Sequence, residues 1–292
     1  MKVLVIGGTR LMGKHLVSSL IADKHDVTIA TRGLTSDNFG DTVKRIVVDR
    51  TNSDSIKAAL SREVYDVIFD SLAYGSNDIK TILDSAKCEK YIFISTAAVY
   101  DKRIDIREDE FNPSLKPLIW CDRNSFSYDE IKRQAECAVA QGYPNVKYIA
   151  VRFPFVIGLD DYTKRLYFYV EHIINEKPMF IDNYEFQMSF VRSDEAGDFI
   201  SFLATRDFKG AINGASEQTI SIREIADYVS VKTGKTAILS SKGETAPYNG
   251  EKEYSINTDK AKSLGFSFTP LKKWVYELID VYVNECISVN AY

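Results

Sequence analysis

Tyr128 and Lys132 stand four residues apart in the segment Tyr128-Asp-Glu-Ile-Lys132. On a helix that spacing puts the phenol and the ammonium on one face, where they converge on one small volume. The chemistry implied is proton transfer. A phenol with a pKa of about 10 is a poor acid or base at neutral pH, and a neighbouring ammonium stabilises the phenolate and brings it into a useful range. Thr96 follows the run Tyr91 to Ser95 (YIFIS), apolar up to its end, and offers a hydroxyl to the same substrate oxygen.

A second set of residues lies at the N-terminus, in the turn GGTRLMG, where Gly7, Thr9, Arg10, Leu11, Met12 and Gly13 are candidate cofactor contacts. The turn follows an apolar run, Lys2 to Ile6, and leads into Lys14 to Ala22, whose Leu16, Leu20 and Ile21 have helical spacing. Strand, tight turn and helix are the context in which a helix N-terminus offers unpaired amides to a pyrophosphate and glycine permits close backbone approach. Arg10 stands where the Gly-x-x-Gly-x-x-Gly pattern would have its middle glycine, and is placed to fork onto a phosphate.

The tip of the second strand, His25 to Ala30, selects the cofactor. An NAD site has a carboxylate there for the ribose hydroxyls, whereas this chain has Thr31-Arg32. Arg32 together with Arg10 would surround a 2′-phosphate, so the reading favours NADP(H), with NAD(H) the alternative.

The elements that must position these groups alternate. Strands are expected at Arg45 to Asp49, Asp66 to Asp70 and Lys147 to Arg152, and helices at Ser53 to Leu60, Ser76 to Ala86 and Tyr128 to Gln141. The fold class is therefore α/β: a Rossmann, doubly wound parallel sheet with a smaller mixed C-terminal lobe that binds substrate. The expected division is a dinucleotide-binding domain over 1–157 and a mainly substrate-binding lobe over 158–292, some of whose segments return to the sheet. In that lobe Lys164 and Arg165 lie among Tyr162, Tyr167, Phe168 and Tyr169, a combination that suits a nucleotide base and its diphosphate. Packing of those aromatics into a core is the weightier reading. His172 and Cys121 are read as structural residues. A C-terminal helix over Leu271 to Asn284 has Trp274, Leu278 and Val281 on an apolar face, for core packing or a dimer contact.

Composition narrows the classes. The 292 residues are 45% hydrophobic and 27% charged, with a net charge of -4, ordinary for a soluble globular protein and unlike a phosphate-backbone binder. Nucleic acid is thus an unlikely partner. No apolar run approaches the ~20 residues that span a bilayer, and the early Gly7-Gly8 argues against a signal peptide, so a cytoplasmic protein without membrane association is expected. Cys88, Cys121, Cys137 and Cys286 form no C-x-x-C pair, and with three histidines neither a disulfide framework nor a metal site is expected.

Taken in order, the glycine turn, Phe93 to Tyr100 (FISTAAVY), the Tyr128/Lys132 pair, Val151 to Gly158 (VRFPFVIG), Phe190 to Asp198 (FVRSDEAGD), the INGAS turn within Gly210 to Glu224, and Asn257 to Phe266 resemble successive blocks of one family. It is the extended short-chain dehydrogenase/reductase group, the NAD-dependent epimerase/dehydratase family. The resemblance implies that Tyr128 is the acid/base, that Lys132 binds the nicotinamide ribose and lowers the tyrosine pKa, and that Thr96 orients the substrate. It also implies that Asp49 lies near the adenine and Arg192 near a sugar-nucleotide phosphate. The implied reaction is hydride transfer at a carbinol or keto carbon of a sugar or nucleotide sugar, by an epimerase or reductase, and a homodimer is plausible.

Three departures qualify this. Ala97-Ala98 replaces the Asp-Glu of dehydratases, which disfavours dehydration, and Phe126-Ser127 replaces the usual Asn-Pro before the tyrosine. The Gly-Gly-Thr-Arg turn resembles an atypical branch that includes the chloroplast stem-loop RNA-binding proteins. The alternatives are accordingly an RNA-binding protein or a non-catalytic NADP-sensing regulator.

Overall fold

A β-branched run that leads directly into glycine favours a buried strand with a sharp exit, and the computed structural model, which describes residues 1–290, begins with that unit: β1 (Lys2–Ile6) and α1 (Met12–Ala22). The chain continues through β2 (Asp26–Thr31), β3 (Lys44–Val47), α2 (Ser53–Leu60), β4 (Val64–Asp70), α3 (Ser76–Leu83), β5 (Lys87–Thr96), α4 (Tyr128–Cys137) and β6 (Lys147–Phe153). Then follow β7 (Phe155–Ile157), α5 (Arg165–Ile174), β8 (Met179–Phe180), β9 (Phe190–Arg192), α6 (Ser193–Leu203), β10 (Gly210–Asn213), α7 (Ile222–Thr233), β11 (Glu244–Thr245), α8 (Asp259–Ser263) and α9 (Val275–Asn290).

Seven strands form one parallel sheet in the order β3-β2-β1-β4-β5-β6-β10. Successive side chains of a strand point to opposite faces, and β1 shows how both faces are filled. Val3 and Val5 pack with Leu16, Val17 and Leu20 of α1 and Phe199, Ile200 and Leu203 of α6. Leu4 and Ile6 pack instead with Ile56 and Leu60 of α2, Ile79 and Ile82 of α3, and Ala135 of α4. Burial on both faces explains why these strands are apolar throughout rather than alternating. A separate core holds the C-terminal lobe, with Tyr169 and Ile173 of α5, Ile225 and Val229 of α7, and Leu278 and Ile279 of α9. The returning segments are β10, which adds to the sheet beside β6, and α6, which covers α1.

Some boundaries moved. The helix from Tyr128 ends as an α-helix at Cys137 and widens to π-type pitch over Ala138–Gly142. The C-terminal helix begins at Val275, after a single tight turn at Leu271–Lys273, and Val281 is exposed although Trp274 and Leu278 are buried. The third strand stops at Val47, which leaves Asp49 in a loop. His172 is buried and stacks on Phe168 at 3.8 Å, and Cys121 is buried within hydrogen-bonding reach of Ser76. No helix of the described residues is long and apolar enough to cross a membrane.

Candidate active site

In an open parallel sheet the natural ligand crevice lies beyond the carboxyl ends of the strands, where neighbouring connections leave on opposite sides. β1, flanked by β2 and β4, occupies that position, and a cleft of about 780 Å³ opens there. Gly7, Thr9, Arg10, Leu11, Met12, Gly13, Arg32, Asp49, Thr96, Tyr128 and Arg165 all line it. Lys132 is buried behind the wall, and Arg192 lines a different hollow of about 450 Å³, where its Nε donates to Asp194 at 2.5 Å. Arg192, expected near a sugar-nucleotide phosphate, is thus not brought together with the residues of the main cleft; its hollow is lined by Gly158, Leu159 and Asp160.

The glycine turn is shaped by close packing. A Cβ on Gly13 would lie 2.9 Å from the Gly8 Cα, and Gly7 and Gly8 both have positive φ, +97° and +94°. The strained residue is Leu11, at φ 46°, rather than Arg10, the residue that broke the glycine pattern. Non-glycine residues in that region carry of order 1–3 kcal/mol of strain, tolerated where the surroundings demand it. Arg10 is exposed at the rim of the cleft. Its Nε donates to Thr35 Oγ1 at 3.2 Å, and its guanidinium lies 5.2 Å from the Tyr162 ring centroid.

At the adjoining end Arg32 is exposed, and Asp49 is close enough to feel its charge. The Asp49 carboxyl is held below its usual range first by the hydroxyl and amide of Thr51, then by Arg32 and Arg123. The tip of β2 carries no acid, and Asp49, which the resemblance puts near the adenine, stands in the loop after β3 where it feels the Arg32 charge. Beneath it Arg50 is buried and pairs with Asp70, donating from Nη2 to Oδ2 at 2.8 Å, and Asp70 also accepts from the Tyr91 hydroxyl at 2.8 Å.

The opposite end holds Tyr128, the expected acid/base. Tyr128, first residue of α4, is half-exposed and lines the cleft together with Thr96, whose Oγ1 accepts from the Ala98 amide at 3.1 Å. Burial of the phenol raises its pKa above 10.0, and the neighbouring Thr96 hydroxyl works against that rise. Lys132 lies behind it, buried. Its Nζ donates to the Ala73 carbonyl at 2.7 Å and the Ile94 carbonyl at 2.9 Å, and lies 6.0 Å from the Tyr128 ring centroid. Burial in turn pushes the ammonium from 10.5 down to about 8. Tyr74 stands between, its ring 4.7 Å from Lys132 Nζ and 4.8 Å from the Arg123 guanidinium, edge-on to Tyr128.

Glu136, one helical turn beyond Lys132, was missed. It accepts from Ser95 Oγ at 2.5 Å and pairs with Arg152 of β6 at 2.9 and 2.5 Å. Arg152 also donates to the Tyr100 hydroxyl and the Glu108 carbonyl, each at 2.8 Å, and Tyr100 donates to Asn213 at 2.6 Å. This buried knot ties α4 to the ends of β5, β6 and β10. The available signal was an arginine inside an otherwise apolar strand, KYIAVRF. Lys102, Glu251 and Tyr254 of the cleft were missed as well.

The NAD dependent epimerase/dehydratase family profile matches residues 3–214. A stretch of 115 residues is 34% identical to the chloroplast stem-loop binding protein of 41 kDa b of Arabidopsis thaliana, a match that spans 35% of this chain and 30% of that protein. Among solved structures, the UDP-glucose 4-epimerase of Thermotoga maritima with UDP-glucose superposes with a TM-score of 0.76 at 15% identity, over 98% of this chain and 100% of that one. The UDP-glucuronic acid 4-epimerase of Bacillus cereus, with UDP-glucuronic acid and NAD, gives 0.74 at 18% identity, over 98% and 99%. At those identities the likeness is one of fold.

Proposed function

From the premise that the chain belongs to the NAD-dependent epimerase/dehydratase family, we propose that it is an NAD(P)-dependent epimerase or reductase acting at a carbinol or keto carbon of a sugar or nucleotide sugar. The observation that carries the reading is the Tyr128–Thr96 hydroxyl pair, set in the wall of the same cleft that the glycine turn opens.

The residues fit a dinucleotide. The turn keeps Gly8 and Gly13 in contact with no room for a side chain, and α1 starts without a side-chain cap, which suits a pyrophosphate at a helix N-terminus. Gly7, Thr9, Leu11, Met12 and Gly13 would hold it, Asp49 would lie near the adenosine, and Arg10 and Arg32 favour a 2′-phosphate, hence NADP(H) over NAD(H). A bound nicotinamide supplies the hydride acceptor or donor.

The chain's own residues handle the proton. With its pKa raised, the Tyr128 phenol is protonated at neutral pH and gives its proton to the oxygen of a carbonyl as that carbon is reduced. In the oxidative direction the same oxygen takes the hydroxyl proton, and the neighbouring Thr96 hydroxyl favours the phenolate. Thr96 orients the substrate oxygen. Lys132 keeps the floor in place through its two carbonyl bonds and adds positive charge near the phenol. If the keto product is retained, turned and reduced on its other face, the outcome is epimerisation; if it leaves, the outcome is net oxidation or reduction.

The test is Tyr128→Phe. Turnover should fall by about 10²–10⁴-fold, the scale of general acid–base catalysis, while NADP(H) and NAD(H) affinities measured by titration calorimetry stay near wild type. Undiminished turnover would remove Tyr128 from the mechanism, and failure of both cofactors to bind the wild-type protein would remove the enzyme reading.

A further inference from the structure

Tyr74 lines the cleft from the loop between β4 and α3. The backbone on both sides of it is fixed. The Leu72 carbonyl accepts from Arg123 Nη2 at 2.8 Å, the Ala73 carbonyl accepts from Lys132 Nζ at 2.7 Å, and the Tyr74 and Gly75 amides donate to Asp78 Oδ2 at 2.8 and 3.1 Å. Gly75 has no room for a side chain, since its Cβ would come 2.7 Å from the Cys121 carbonyl oxygen. A loop held at so many points fixes the place of the Tyr74 ring.

An ammonium has three hydrogens to donate. Lys132 gives two of them to the Ala73 and Ile94 carbonyls, and among the described residues its Nζ has no third acceptor. Two rings are near it instead, Tyr74 at 4.7 Å and Tyr128 at 6.0 Å. An aromatic face attracts a cation yet keeps water away, so the closer ring holds the ammonium without hydrating it. Burial takes the Lys132 pKa down to about 8, although the charges of Asp70 on β4, Asp78 on α3 and Glu136 on α4 favour the ammonium; Arg50, in the loop before α2, disfavours it. Burial also dominates at Tyr128, where the Thr96 hydroxyl of β5 and the Arg165 guanidinium of α5 oppose the rise and the Tyr74 phenol adds to it.

We propose that Tyr74 is a positioning residue for the Tyr128/Lys132 pair: its ring closes off Lys132 and keeps the ammonium on the two carbonyls, so that Tyr128 serves chiefly as a proton donor. The inference rests on the reading of Tyr128 as the acid/base. With the ring gone, water reaches Nζ, and its third hydrogen is free to turn to the Tyr128 oxygen. Phenol and lysine then titrate as a coupled pair in which each charge favours the other. Tyr74 thus sets the resting protonation of the site, and with it the bias of the proton step toward reducing a carbonyl rather than oxidising an alcohol.

The test reads Tyr128 directly, through the near-ultraviolet absorbance of its phenolate in a pH titration of the whole chain without substrate. From each trace is subtracted that of the same protein carrying Tyr128→Phe, which removes the other tyrosines. Tyr74→Phe keeps the ring and should titrate as wild type. Tyr74→Ala should lower the Tyr128 midpoint by about one pH unit, the effect of an opposite charge brought within reach. In a Lys132→Met background the same change should leave the midpoint where it is. Equal midpoints in Tyr74→Phe and Tyr74→Ala overturn the proposal. So does a fall that persists without Lys132, because hydration of the phenol then explains it. Tyr74→Ser takes the place of Tyr74→Ala if the latter does not unfold cooperatively, and failure of both to fold makes Tyr74 a packing residue, which also overturns the proposal. If Tyr128→Phe stops turnover while the midpoint ignores Tyr74, the positioning role alone fails. If Tyr128→Phe leaves turnover intact while the midpoint follows Tyr74 through Lys132, the hydride-transfer reading fails and the positioning role stands.

Discussion

The two ends of the cleft are built differently. At the proton-transfer end, Tyr128 and Lys132 stand on α4, and the same helix carries Glu136 into a buried knot with Ser95, Arg152 and Tyr100. Every group in that knot has a partner on another element, so the position of the helix is over-determined. At the adenosine end, Arg10, Arg32 and Asp49 are exposed residues on turns and loops, and their contacts are short-range or screened. The difference shows which property can drift. On the proposed reading, position of the proton-transfer group is tied to folding, whereas choice of cofactor rests on exposed side chains that can be exchanged without disturbing the core.

The largest effect should come from cutting the knot. Glu136 and Arg152 are fully buried, and removing one partner of a buried pair leaves an uncompensated charge that costs about 3–5 kcal/mol. Glu136→Gln should therefore lower unfolding free energy by that order in denaturant titrations. The double change Glu136→Leu with Arg152→Met should be less damaging than the single, because the stranded charge is gone. A single variant as stable as wild type would show that α4 is held by something else, and would break the contrast between the two ends.

An intermediate effect is expected at Lys132. Burial lowers its pKa in the fold to about 8 from the 10.5 expected of the unfolded chain. Below pH 8 both states are protonated, and the fold carries the full cost of the buried ammonium. Between the two values the unfolded state binds more protons, so stability from this group rises with pH, and above 10.5 neither state is charged. The total is at most about 3 kcal/mol, taking ~1.4 kcal/mol for each pKa unit. Lys132→Met should flatten that rise relative to wild type in paired measurements across pH 8 to 10.5, even though losing two carbonyl bonds shifts the whole curve. Identical slopes would mean that Lys132 titrates as an ordinary surface lysine.

What could be read from the chain follows the same division. β1, the glycine turn and the Tyr128/Lys132 spacing are local patterns, and local pattern is what periodicity and helix geometry report. The Glu136–Arg152 pair joins residues 16 apart on different elements, and only the assembled sheet brings Ser95 and Asn213 to the same knot. Arg192 lies in a second hollow rather than the main cleft, a placement that its position in a block of sequence does not report. Asp49 was expected near the adenine, but its proximity to Arg32 depends on the pairing of β2 with β3, which no single strand reveals. The raised pKa of Tyr128 was hidden for a related reason. It comes from burial of the phenol in the assembled cleft, and the neighbouring Lys132 ammonium is held by the Ala73 and Ile94 carbonyls, which lie on other elements.

The smallest effect, and the sharpest test of the adenosine end, is Arg32→Ala. Arg32 is exposed, so a contact with a 2′-phosphate there is screened by water and salt. Asp49 offsets part of its charge already, while Thr51 keeps that carboxylate oriented within the loop. Removing the guanidinium should therefore weaken NADP(H) by only about tenfold and leave NAD(H) nearly unchanged, as read by parallel calorimetric titrations at two salt concentrations. The loss should shrink as salt rises. Asp49→Asn supplies the opposite sign: without the carboxylate beside Arg32, NADP(H) should tighten relative to NAD(H). If both variants leave the ratio of the two affinities where it was, Arg32 is a solvated loop residue. The preference would then have to come from Arg10, whose guanidinium must leave Tyr162 and Thr35 to meet a phosphate, and Arg10→Ala would become the variant that moves the ratio.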